Sequence, residues 1–380
     1  MTPKAYSGMT PRLLFAVTGV TLLLAACGPT PQSRTEGPAI PPQEASPAPS
    51  PTLAGGLSPV AVNKAPFAVP PTDDARAPAV LRAQILLDRA RFSPGVIDGT
   101  AGENLRQAVA AYEEANGLPV DGEMDEQVFA RLTAADGRPV LADYVIADAD
   151  VKGPFVTLGD KMIEQARLSA MGFESAKEAL AEKFHMSEEL LDQLNPGADF
   201  ARVGATIVVA RIGDDALPAD VALIEVDKAD KALRAFDAGG KLLAFYPSTI
   251  GSDERPAPEG LLKVTGVAMN PTYTFDPRRL TYSQPGVKGK LTLPGGPNNP
   301  VGSVWIGLSK ETFGIHGSDA PREIGKTFSH GCIRLTNWDA VELAGKVKAG
   351  VKVSFVEASA GGLREQQARD KAKAAPASKT

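Results

Sequence analysis

Cysteine and histidine are scarce in this 380-residue chain, which holds two of the first and three of the second. Two cysteines as far apart as Cys27 and Cys332 are no disulfide framework when each has its own setting. Long apolar runs are missing as well. The most apolar stretch, Leu13 to Ala26, is too short for a comfortable membrane span. No charge of one sign dominates, because 40 Lys and Arg stand against 45 Asp and Glu, interspersed, for a formal net charge of -5. That balance excludes the basic footprint of a nucleic-acid binder. The length leaves room for two or three domains.

What is present is concentrated. Ser329-His330-Gly331-Cys332-Ile333-Arg334-Leu335, with His316-Gly317-Ser318 upstream, holds one of the two cysteines and two of the three histidines. A thiol attacks as its thiolate, and a nearby imidazole can lower the thiol pKa and shuttle the proton to a leaving amine. Cys332 with a histidine is therefore a candidate nucleophile and base for acyl transfer. Gly331 lets backbone approach closely, so that N–H groups could face a developing oxyanion. Arg334 could hold a carboxylate bidentately. Other readings stay open at this point. A structural zinc site usually wants four protein ligands, and no other Cys or His lies nearby. An inert buried cysteine is a second reading. Papain-like or related amidase chemistry is a third, although its usual order puts Cys before His, and here the histidine comes first.

The arrangement is similar to the signature of the L,D-transpeptidase catalytic domain, in which a histidine precedes a Ser/Thr-His-Gly-Cys run by about a dozen residues. Gly296-Pro297-Asn298-Asn299-Pro300-Val301-Gly302 and Trp305-Ile306-Gly307-Leu308 resemble that family's approach to its first histidine, and the resemblance spans roughly 219 to 357. One form of the signature carries Asn two residues after the cysteine, where this chain has Arg334; the Ile-Arg-Leu ending resembles another branch. The resemblance implies a mainly-β domain with His316 as base and Cys332 as nucleophile. His330, Ser329, Gly331 and Gly317 would shape the pocket, and the N–H groups around Gly331 and Cys332 would serve as oxyanion donors. It implies no metal and no cofactor. The substrates would be peptidoglycan stem tetrapeptides.

The amino-terminal region reads as export and reach. Lys4 and Arg12 precede the apolar run, which ends in Leu24-Ala25-Ala26-Cys27, the pattern of a lipoprotein signal over residues 1–26 with either Met1 or Met9 as the start. Cys27 then carries the lipid that holds the chain to a membrane, and Gly28 is not the Asp of an inner-membrane retention signal, which points to an outer-membrane, periplasmic location in a Gram-negative bacterium. The alternative is a soluble secretory signal cut at the Ala pair. Residues 27–77, rich in Pro, Ala, Ser and Gly, read as a semi-rigid tether, or as a proline-rich ligand for a partner.

From 78 to 135 three helical faces appear, marked by Leu81, Ile85, Leu86 and Ala90, by Val109, Ala110 and Tyr112, and by Val128, Phe129 and Leu132. Asp98-Gly99 and Asp121-Gly122 supply similar tight turns between them, which suggests a short duplicated unit. These turns and Gln84 resemble the small three-helix peptidoglycan-binding domain. A helical spacer is the alternative. Residues 143–212 resemble the second half of a LysM carbohydrate-binding module: a helix from Ser175 to Phe184, a second capped by Ser187 and stopped by Asn195-Pro196-Gly197, then the strand Ile207-Val208-Val209. His185 reads as structural, and a plain linker domain is equally open. The last domain, 219–357, carries strand-length runs at 221–226, 231–236, 241–249, 261–269 and 351–356. Its helix is capped by Thr336 with Asp339 three residues on, and its apolar face is assigned to Val341, Leu343, Ala344 and Val347. The stretch from Thr272 to Pro297, with Tyr273, Phe275, Arg278 and Arg279, reads as a long polar loop, a lid or mere elaboration. A tail follows at 358–380. The expected architecture is thus multidomain, with a three-helix domain, a small α+β segment and a mainly-β catalytic domain. The expected reaction is cross-linking of stem peptides through a cysteine acyl-enzyme. Hydrolysis by water, ligation of a lipoprotein to the wall, and a silent wall-binding tether are its alternatives.

Overall fold

A computed structural model of the chain describes residues 57–70, 72–73, 75–214, 216–251, 255–278, 286–329 and 331–359, all within one compact unit. The signal, Cys27, most of the tether, Arg279, His330 and the tail from 360 lie outside the described residues.

The end of the expected tether is a correction. Ser58 caps a short helix, α1 (Pro59–Asn63), by accepting from the Ala61 N–H, and Leu57 and Val62 are fully buried. The side chain of Asn63 receives the Val140 and Leu141 N–H groups and donates to the Leu141 carbonyl. A composition read over 50 residues hides two well-placed apolar side chains and one amide.

Helices α2 (Pro78–Arg89), α3 (Glu103–Ala115) and α4 (Glu126–Ala135) follow the expected faces. The two Asp-Gly turns between them are held in matching ways. Gln84 is buried, accepts from the Asp98 and Gly99 N–H groups and donates to Asp98 and the Thr100 carbonyl. Glu113 accepts from the Asp121 and Gly122 N–H groups, and its burial pushes its carboxyl up to about 7. Each turn ends on a glycine with φ of 80° or 74°, where a side chain would be strained.

The next segment opens with a strand that periodicity did not reveal. β1 (Leu141–Val145) pairs antiparallel with β2 (Thr206–Ala210), and α5 (Asp148–Val151), α6 (Met162–Gln165), α7 (Ala176–Lys183) and α8 (Glu188–Leu194) lie between them in the chain. Ser175 and Ser187 cap α7 and α8 as expected. Asn195 ties α8 to β2: its amide donates to the Leu191 and Val208 carbonyls and accepts from the Val208 N–H.

The carboxy-terminal region is built from β3 (Leu223–Asp227), β4 (Ala232–Phe236), β5 (Leu242–Pro247), β6 (Gly260–Met269), β7 (Tyr273–Phe275), β8 (Leu291–Leu293), β9 (Val304–Leu308), β10 (Gly314–His316), β11 (Ile333–Arg334), α9 (Asn337–Ala344) and β12 (Lys352–Val356). Eight of these strands form one mixed sheet in the order β11-β10-β9-β6-β12-β3-β4-β5. Its two edges meet, because Thr249, just past β5, exchanges both backbone hydrogen bonds with Arg334 of β11 at 2.9 Å each. The outer edge of β5 is also covered: Phe245 donates to the Arg91 carbonyl and accepts from the Ser93 N–H, both residues lying between α2 and α3. An edge strand left bare would invite pairing with other chains.

Two expectations change here. The stretch from Thr272 is no structureless loop: β7 and β8 pair antiparallel, and Phe275 and Leu293, both fully buried, pack with Met162 and Met171. On α9, Val341 is 37% exposed, so the core face runs through Ala340, Leu343, the partly buried Ala344 and, just beyond the helix, Val347. Thr336 does accept from the Asp339 N–H, but the Asp339 carboxylate accepts from Ser93 instead of closing the cap. Burial pushes that carboxyl up to about 8.

Two main cores result. One fills the sheet and α9; the other joins α1 to α4, α7, α8, β1 and β2 and takes in Ala232 and Phe245 from the sheet. Phe245 is therefore the larger of the two side chains that the sheet contributes to the helical core. Phe245→Ala removes a fully buried ring and should cost ~3–5 kcal/mol, read as a lower urea midpoint with one cooperative transition.

Candidate active site

The site is laid out by the two-residue period of three strands. On β9, β10 and β11 the side chains of Val304, Ile306, Leu308, Ile315 and Ile333 point into the core. Trp305, Gly307, Gly314, His316 and Arg334 must then face the other way, and Cys332, two residues before Arg334, faces with them. β10 and β11 run parallel with His316 opposite Arg334, while Trp305 lies opposite His316 across the antiparallel β9–β10 pair. Parallel register puts the candidate nucleophile Cys332 and the candidate base His316 on one face, although 16 positions separate them in sequence.

Trp305 covers this face. Its indole stacks on the His316 ring at 5.5 Å and 20°. Gly314 makes room for it, since a Cβ there would stand 2.5 Å from the Trp305 ring. Neither Gly314 nor the stacking was read as functional from the sequence; the signal would have been glycine alternating with the catalytic residues along β10.

His316 is buried, and its Nδ1 lies 2.7 Å from the Gly317 carbonyl oxygen. A carbonyl can only accept, so Nδ1 carries the proton and Nε2 keeps its lone pair. Burial first, and then the Arg334 guanidinium, hold this imidazole down to about 4. Gly317 thus orients the His316 ring through its backbone oxygen, where the sequence had suggested pocket lining.

Cys332 donates its thiol to the Thr312 carbonyl at 3.6 Å. Thr312 sits at φ 71°, an uncommon conformation for a β-branched residue and a locally strained one. Burial raises the thiol above its ordinary range, opposed by the Gly314 backbone and by Arg334. The expectation that the imidazole lowers the thiol is therefore not met in the free protein: desolvation outweighs the favourable charge, and both groups rest neutral. Arg334 Nε is buried and has no hydrogen-bond partner among the described residues.

The turn before the nucleophile is tied by Ser329. Its Oγ donates to the Cys332 carbonyl at 2.5 Å and accepts from the Gly331 N–H at 3.1 Å. That corrects one expectation, because a Gly331 N–H already engaged is not a free oxyanion donor. Gly331 itself is required at φ 108°, where an added Cβ would also meet Phe313 at 2.9 Å. His330, between them, is outside the described residues. Among the described residues no group of three or more His, Cys, Asp or Glu is arranged to hold a metal ion. A cavity of about 510 Å³ lies between residues 149–185 and α9, lined by Phe155, Phe173, Glu182, Asn337 and Trp338 among others, and neither Cys332 nor His316 lines it.

Residues 222–354 match the family model described as "L,D-transpeptidase catalytic domain", and residues 76–132 match "Putative peptidoglycan binding domain". The chain is 31% identical over 181 residues to the "Putative L,D-transpeptidase YkuD" of Bacillus licheniformis, which covers 47% of this chain and 92% of that protein. It is 28% identical over 213 residues to the "Probable L,D-transpeptidase YbiS" of Escherichia coli, covering 54% of this chain and 68% of the relative. The chain belongs to the L,D-transpeptidase family. Among solved structures, L,D-transpeptidase 3 from Mycobacterium tuberculosis shares 16% identity at a TM-score of 0.31, covering 41% of this chain and 66% of that one. The catalytic domain of the E. faecium enzyme shares 23% at 0.28, covering 37% and 99%.

A resting pair that is neutral on both sides has a measurable signature. Alkylation of Cys332 by iodoacetamide should be slow at pH 5 to 7 and keep climbing past the ordinary thiol range of ~8.5. A plateau reaching down to pH 5 would instead reveal a preformed thiolate and imidazolium. In stability terms, His316 acts in the acid range: the unfolded chain takes up a proton below 6.5 that the folded imidazole refuses until about 4, so stability falls across that window.

Proposed function

We propose that the protein is a peptidoglycan L,D-transpeptidase that cross-links stem peptides through a thioester on Cys332. The observation that carries this is the pairing of β10 with β11, which sets Cys332, the residue before β11, on the face of a His316 whose Nδ1 is committed to Gly317. The donor bond is the amide joining the L-centre of diaminopimelate to the terminal D-alanine of a tetrapeptide. His316 Nε2 takes the thiol proton as Sγ attacks that carbonyl carbon. The tetrahedral oxyanion is met by backbone N–H, with Cys332 the candidate once Gly331 is engaged by Ser329. Collapse breaks the C–N bond, and His316 returns the proton to the nitrogen of the departing D-alanine. The side-chain amine of a second stem then attacks the thioester, its proton passes to His316 and on to the sulfur, and a new amide closes the cross-link. The low basicity of the buried imidazole suits the return step, because a weakly held proton is readily given up.

Arg334 is assigned a carboxylate of the donor stem, a role its buried, unpartnered Nε supports. The three-helix region is assigned wall binding, and the pairing of β1 with β2 around the helix pair α7–α8 supports the reading of 143–212 as a LysM-like glycan binder. Lipidation at Cys27, the tether and a periplasmic, outer-membrane location complete the proposal. Binding modules on the same chain raise the local concentration of a polymeric substrate.

The full mature chain and its Cys332→Ala variant, each incubated with disaccharide-tetrapeptide, are compared by mass spectrometry. The expected outcome is a cross-linked dimer with loss of D-alanine, absent in the variant. Tripeptide without dimer would assign the acyl-enzyme to water and make the protein a carboxypeptidase. No change from folded protein would leave a silent tether.

A further inference from the structure

The catalytic histidine is not held by its own domain alone. Asn337, at the start of α9, is buried, and its side chain meets three separate groups. Oδ1 accepts from the Ser303 N–H at 2.9 Å; Nδ2 donates to both carboxylate oxygens of Glu182 at 3.1 Å and to the Pro297 carbonyl at 3.1 Å. Glu182 belongs to α7, outside the region matched as the catalytic domain.

On its other side, Asn337 abuts the peptide that fixes the base. A Cβ on Gly317 would fall 2.2 Å from Asn337 Oδ1, and a Cβ on Gly302 would fall 2.1 Å from the same atom and 2.6 Å from the Gly317 carbonyl carbon. Gly302, Gly317 and the Asn337 amide are thus in mutual contact, with no room to slide. The Gly317 carbonyl so pinned is the acceptor that sets the His316 tautomer.

We infer that Glu182 is a positioning residue for catalysis: by holding Asn337 it fixes the Gly317 carbonyl, and through it the Nδ1–H tautomer of His316. The segment 171–182 reinforces this clamp along the loop that leads into β9. Met171 donates to the Gly295 carbonyl and accepts from the Asn298 N–H, and the Asn298 side chain donates to Gly172 and to Glu178. The loop 294–303 is therefore pinned from outside the catalytic sheet. Glu182 sits where that clamp touches the amide behind the base. Losing it leaves the thiol and imidazole in place while freeing the imidazole to exchange tautomers, and the Nε2–H form cannot accept the thiol proton.

The inference rests on His316 being the base, and its test has a readout that does not need turnover. The full chain has three histidines, so its imidazole nitrogens can be followed individually after ¹⁵N labelling. In wild type, His316 should show a pure Nδ1–H tautomer. In Glu182→Ala the tautomers should mix, and acylation of Cys332 by a carbapenem, followed by mass spectrometry, should slow roughly tenfold at saturation with little change in the half-saturating concentration. Glu182→Gln, which retains an acceptor for Asn337, should recover most of both. Lys177→Ala, a solvent-side change on the same helix, should resemble wild type in both.

A folded Glu182→Ala with wild-type tautomer and rate overturns the inference, and so does a loss shared by Lys177→Ala or not rescued by Gln. If Glu182→Ala does not fold, Glu182→Asp, which withdraws the carboxylate by one methylene, must show the same mixed tautomers, or the inference fails. Should wild type itself resist acylation, the proposed activity falls, while the tautomer measurement still decides the role of Glu182.

Discussion

The structure depends on the parallel pairing of two very short strands. β10 and β11 share only two registered pairs, Ile315 with Ile333 and His316 with Arg334. A slip of one residue would turn Cys332 into the core and bring Ile333 to the site, because side chains alternate faces. Several features serve to prevent that slip. Thr249 brackets Arg334 from the far side, Ser329 ties the turn before Cys332, and the Leu335 N–H bonds back to the His316 carbonyl. The rest of the sheet supplies the rigid floor on which this register is held.

The electrostatic state of the pair follows from the same burial. Burying the imidazole and partly burying the thiol penalises both charged forms, and one guanidinium, at Arg334, does not offset that for the thiol. Under the proposed mechanism, proton transfer then accompanies attack instead of preceding it. A negatively charged stem carboxylate near Arg334 would soften the guanidinium's pull on His316 and make it a better base. In the proposed mechanism, substrate binding and activation of His316 are thereby linked.

Much of this was legible in the chain. The scarcity of Cys and His, their spacing and the flanking glycines singled out Cys332 and His316, and the helix faces and Asp-Gly turns marked 78–135 as a small helical unit. What stayed hidden has physical causes. Leu57 and Val62 were masked by proline-rich surroundings, β1 by its brevity, and the β7–β8 ribbon by the polar residues around Phe275 and Leu293. At the site, Trp305 was noticed as part of a motif and not as a lid over the imidazole. Gly317 acts through a backbone oxygen, which no side-chain pattern reports. Asn337 draws together residues more than 150 positions apart, and a single sequence carries no record of such a meeting.

The covered edge of β5 has a consequence for the order of events as the chain is made. Residues 91–93 emerge first and wait for β5, about 150 positions later, and Ser93 waits still longer for Asp339, 246 positions on. Contacts of such separation carry a high loop-closure cost and make folding slow. The helical region is thus born with an unfinished apolar face, shielded only when the sheet arrives. Cys332 itself lies late in the chain, after β3 to β10, so that an incompletely synthesised chain carries no assembled thiol centre.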